Sequence, residues 1–107
     1  MTMTLLTKAL RARFARVGNQ DGLGDKAVVI AKFFHPFSNW TWYATEFDGE
    51  DTFFGLVDGV EREWGSFSLR ELTDLRVKGL PMERDRFWTE GPVSDLNLAL
   101  RQMNRAA

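Results

Sequence analysis

Trp40-Thr41-Trp42-Tyr43-Ala44-Thr45-Glu46-Phe47 is a run dominated by aromatic and β-branched side chains. Such side chains fit the pleated surface of a sheet better than the crowded turn of a helix, so the run predicts a strand over 40–47. Breakers flank it on both sides, His35-Pro36-Phe37-Ser38-Asn39 before and Asp48-Gly49-Glu50-Asp51 after. Beyond them, residues 27–34 (AVVIAKFF) and 52–57 (TFFGLV, ended by Asp58-Gly59) read as two more strands, and a shorter one is expected over 62–67. Connections this short join antiparallel neighbours. The expected fold class is therefore α+β, built on an antiparallel β-meander of about four strands.

Three helices surround this meander. Leu6, Leu10, Phe14 and Val17 recur at helical spacing and form one apolar stripe, with Gly18 as a stop. Ser68-Leu69-Arg70-Glu71 has the form of a capping box, and Phe67 and Leu72 have the spacing of a hydrophobic staple, which predicts a short helix over 69–76. Pro81 prevents its continuation. Residues 83–88, ERDRFW, fit an edge strand, and Ser94 opens a C-terminal helix along Leu96, Leu100 and Met103.

A chain of 107 residues with 44% hydrophobic content suits one domain, 1–107, with a real core. It has no cysteine, which excludes disulfides and thiolate metal sites, and its N-terminal stretch is too charged for a secretion signal. A cytoplasmic location and no membrane partner are expected. The net charge of −1 argues against a dedicated nucleic-acid binder, yet the charge is uneven. Lys8, Arg11, Arg13 and Arg16 crowd the first helix, whereas residues 46–63 carry seven acids against Arg62.

Nine of the fourteen aromatics lie between Phe33 and Phe54. Strand alternation places Trp40, Trp42, Glu46 and Asp48 on one face and Tyr43 and Phe47 on the other. Both faces are then apolar, which leaves either loops or a second copy to cover the surplus, or an exposed patch that binds a partner. Trp40, Trp42, Glu46, Asp48 and Asp51 are the candidate binding residues. The same acids could support metal or acid–base chemistry, although acids beside a turn are usually solvated. Lys8, Arg11 and Arg16 are the candidate nucleic-acid contacts. His35 stands alone in a loop and cannot make a zinc site by itself. No nucleophile motif, phosphate-cradling loop or dinucleotide fingerprint is present, so no cofactor is implied.

Leu5-Leu6-Thr7-Lys8, Lys32-Phe33-Phe34-His35-Pro36, the Trp40–Asp48 block, Phe54-Gly55-Leu56-Val57, Glu63–Leu72 and Leu80–Asp85 together resemble successive blocks of a small bacterial and phage family. That family, domain of unknown function 2958, is common on plasmids and other mobile elements. The resemblance implies a setting rather than a mechanism. In that setting the expected function is a non-enzymatic binding protein for a host protein or complex, including inhibition of a defence complex such as a CRISPR effector. The alternative is a nucleic-acid-associated accessory factor acting through the basic first helix. A third reading is a small metal-dependent hydrolase on the acidic turn.

Overall fold

A computed structural model describes residues 3–96. In chain order the elements are α1 (Lys8–Val17), β1 (Val28–Val29), β2 (Ala31–Phe34), β3 (Thr41–Phe47), β4 (Thr52–Asp58), β5 (Arg62–Ser68), α2 (Leu69–Asp74), β6 (Arg76–Val77), β7 (Leu80–Pro81), β8 (Glu83–Arg84) and β9 (Gly91–Pro92). Five of these form the main antiparallel sheet, in the order β5-β4-β3-β2-β8. The expected meander is its centre, and the charged ERDRFW segment contributes only the two residues of β8 as an edge. The stretch 27–34 is two strands rather than one. β2 pairs with β3, whereas β1 leaves the main sheet to pair with β9.

Each helix starts where its capping residue dictates. Thr7 accepts the Leu10 N–H at 3.1 Å to open α1, and Gly18, at φ 65°, closes it. Ser68 accepts the Glu71 N–H at 3.1 Å to open α2, which ends two residues earlier than expected, at Asp74. Lys78 and Gly79, both with positive φ, turn the two-residue β6–β7 hairpin. Residues 93–96 are helical, and the rest of the expected C-terminal helix lies outside the described residues.

α1 lays its stripe on one face of the sheet. Phe14 is 1% exposed and packs against Phe47 and Phe53, and Phe53 also meets Phe33 and Phe67. Leu5, Leu72 and Met82 complete this core. The opposite face is covered by β1 and the segment around Trp88 and Val93, which close over Tyr43 and Leu56. Trp88 donates its indole N–H to the Val29 carbonyl at 3.0 Å, so the ring is fixed as it packs. Burial pushes the Tyr43 phenol up from its ordinary pKa.

His35 is buried rather than a loose loop residue. Its Nδ1 accepts the Phe37 N–H at 3.0 Å, which leaves Nε2 to donate to the Leu80 carbonyl at 2.9 Å. The imidazole pins the end of β2 to β7.

Candidate functional site

Strict alternation along β3 fails at Thr45. The β3–β4 register runs Trp42↔Val57 and Ala44↔Gly55, then resumes at Glu46↔Phe54 and Phe47↔Phe53, so Thr45 is an extra residue in a bulge. A single inserted residue reverses the facing of everything after it. Phe47 therefore joins Trp42 on the α1 face instead of sharing the face of Tyr43, and Glu46 faces the opposite way from Trp42. The expected common face of Trp40, Trp42, Glu46 and Asp48 is split in two.

The acids on the far side of the bulge are tied into the backbone. Glu46 accepts the Gln20 N–H at 3.0 Å. One oxygen of Asp48 accepts the N–H groups of Glu50, Asp51 and Thr52 at 2.8, 2.9 and 3.0 Å, which closes the turn and holds its carboxyl below the ordinary range. Asp51 accepts the Ser68 hydroxyl at 2.6 Å and the Arg70 N–H at 2.8 Å, so it caps α2 together with Ser68. Among the described residues no group of three or more metal-ligating side chains converges.

The basic residues of α1 are divided as well. Arg11 donates to the Gly49 carbonyl at 3.0 Å and lies over the Phe47 ring, which joins the helix to the β3–β4 turn. Arg13 makes a bidentate pair with Glu90, whose carboxyl is lowered mainly by that hydrogen bond. Lys8 and Arg16 are exposed.

The two tryptophans do stay together. Their rings are 6.0 Å apart, and Trp40 remains 42% exposed. Trp40 lies flat over Gly59, where an added Cβ would come within 2.6 Å of its ring. Val60, at the tip of the β4–β5 hairpin, is 91% exposed. Trp40, Val57, Val60, Glu61 and Glu63 line one depression of about 310 Å³. The carboxylates beside the tryptophan pair are therefore Glu61 and Glu63, which the sequence reading passed over. A signal for them was present: pairing Thr41 with Asp58 across the hairpin sets Gly59 beside Trp40 and brings the next strand's acids alongside.

A second aromatic pair lies on the other face. Phe54 and Trp64 stack at 5.9 Å, with planes 11° apart, and both are partly exposed. They border a depression of about 370 Å³ that also meets Gln20, Glu46 and Ala27.

Among the described residues no helix is long and apolar enough to cross a membrane. No curated protein and no solved structure matches the chain. One family model, described as a protein of unknown function (DUF2958), matches residues 5–105. With nearly the whole sequence matched, the chain belongs to that family.

Proposed function

We propose that this protein is a non-enzymatic binding module that grips a basic surface of a host protein or complex through Trp40, Trp42, Val60, Glu61 and Glu63. The observation that carries this reading is the exposed Trp40 in a tilted pair with Trp42 beside Val60, with two carboxylates lining the same depression. Tryptophan is enriched among interface hot spots, and rim carboxylates steer a cationic partner more than they add affinity. The acids of the β3–β4 turn have structural work in the fold, which moves the proposed contact to the β4–β5 hairpin. The resemblance to a family of mobile elements makes host defence complexes, CRISPR effectors among them, the first targets to test.

The test is affinity capture from a host lysate, with and without nuclease. Trp40→Ala and the paired change Glu61→Lys, Glu63→Lys are run beside the unaltered chain. Nuclease-resistant capture that both variants lose, with melting temperature retained, supports the reading. Capture that nuclease abolishes points to the nucleic-acid alternative through Lys8, Arg11 and Arg16. Capture that survives both variants removes this surface from consideration.

A further inference from the structure

The main sheet treats its two edges differently. The β8 edge is two residues long, and Arg84 is held by the carbonyls of Thr4 and Leu5, so the N-terminal segment covers it. The other edge is β5, seven residues that pair with β4 without a register break from Thr52↔Ser68 to Asp58↔Arg62. It contains no proline, no lysine and no bulge, three of the usual devices that keep an edge from pairing, and its two charges, Arg62 and Glu63, are confined to one end. Among the described residues no strand lies beyond it. The bond from the Leu69 N–H to the Asp51 carbonyl sets the phase of the β4–β5 ladder. Residues 63, 65 and 67 bond inward, and the N–H and C=O groups of Trp64 and Ser66 point away from the sheet.

We propose that β5 pairs antiparallel with β5 of a second copy, with Trp64 opposite the second copy's Trp64 on a twofold axis. Side-chain chemistry selects this register. Centring the axis on Arg62 or Glu63 would set like charges face to face across the strands, which is unfavourable. Centring it on Gly65 or Ser66 would leave each Trp64 opposite a serine. Centring it on Trp64 sets Glu63 opposite glycine and Ser66 opposite arginine, with no like charges directly opposed. It also extends the Phe54–Trp64 stack, 5.9 Å between centroids, into a row of four aromatic rings across the interface. The axis is perpendicular to the sheet, so both copies present this row on the same face. The result is a continuous ten-stranded sheet with both β5 edges closed. Trp40 and Trp42 lie on the opposite face, and of the proposed partner contact only Glu63 is shared, its side chain on the Trp42 face while its backbone belongs to β5.

Sedimentation equilibrium of the full chain over a wide concentration range tests the association. A reversible dimer is expected. Ser66→Pro removes an outward N–H that β4 does not use, and Trp64→Lys removes the aromatic row. Each should weaken association by roughly tenfold or more while the circular dichroism spectrum is kept. Either variant suffices if the other fails to fold. The chain has no cysteine, so register is read by oxidation of single-cysteine variants. An equal mixture of Arg62→Cys and Ser66→Cys chains, both of which keep Trp64, should crosslink between copies, because opposed residues of a bonded pair lie about 5.5 Å apart, within disulfide reach. Ser66→Cys alone should not. A chain that stays monomeric throughout, or crosslinking of Ser66→Cys with itself in preference to the mixture, overturns the proposal.

Discussion

Gln20 donates its side-chain amide to the carbonyl of Thr45 at 2.7 Å, supplying a partner at the bulge. The same amide group donates to the Val28 carbonyl at 2.9 Å, and its oxygen accepts the Val28 N–H at 2.7 Å. A glutamine that is 6% exposed thus joins the loop after α1, the strand β1 and the irregular point of β3. Its three bonds are what make a buried polar side chain tolerable there.

Replacing Gln20 with Met keeps the bulk and removes the donors and acceptor. The buried carbonyl of Thr45 and the partly buried N–H and carbonyl of Val28 would then lack this partner, at up to about 1–3 kcal/mol for each group left unsatisfied. Urea denaturation should show a loss in that range or above. A change near zero would mean that water replaces the amide without cost.

Gly55 and Gly65 face each other across β4 and β5 but predict opposite outcomes. A Cβ on Gly55 would lie 1.9 Å from the Tyr43 carbonyl oxygen, whereas one on Gly65 meets nothing within 4 Å. Gly55→Ala must shift backbone and should destabilise by about 1–3 kcal/mol or more. Gly65→Ala should stay within about 0.5 kcal/mol of the unaltered chain. Thermal melts of the two variants side by side check the contrast.

The Asp48 carboxyl is held below its ordinary range by three backbone N–H groups, so its pKa is lower folded than unfolded. Its contribution is complete above the unfolded value, about 4, and is lost as the pH falls through the lower, folded value. Glu90, lowered by Arg13, acts in the same direction. Asp48→Ala should therefore lower stability near neutrality and flatten the decline in stability on the acid side. Melting temperatures measured from neutral to acid pH read both effects.

Phe14→Ala opens a cavity among Phe47, Phe53 and their neighbours, and should cost about 3–5 kcal/mol. Denaturant titration measures this directly. Tolerance of the change would mean that α1 is a loosely held basic arm, and salt-sensitive DNA binding through Lys8, Arg11 and Arg16 would then be the next measurement.

The meander, α1, α2 and the cap at Ser68 were legible because each rests on local signals: side-chain spacing, turn residues and capping residues. What escaped depends on long-range partners. Nothing near Thr45 marks a bulge, since Gln20, which helps hold it, lies twenty-five residues earlier. That one residue carried Glu46 and Phe47 to the faces opposite those expected. The split at Ile30 was hidden for the same reason. An unbroken apolar run serves two strands equally well, and only the distant β9 draws β1 out of the main sheet. Glu61 and Glu63 escaped because they lie more than twenty residues after Trp40, and only the pairing of β3 with β4 and of β4 with β5 brings them beside it.

The layers over the sheet have an order of arrival. β3, β4 and β5 are joined by hairpins and can pair as soon as each has been made. Their covering cannot form so early. Val93, 1% exposed, belongs to the layer over Tyr43, β1 waits for β9, and Arg13 waits for Glu90. During synthesis the aromatic sheet must therefore stand partly bare until about residue 93 has left the ribosome. The exposed interval of this protein's life falls on its most apolar strands, where a chaperone would be of most use.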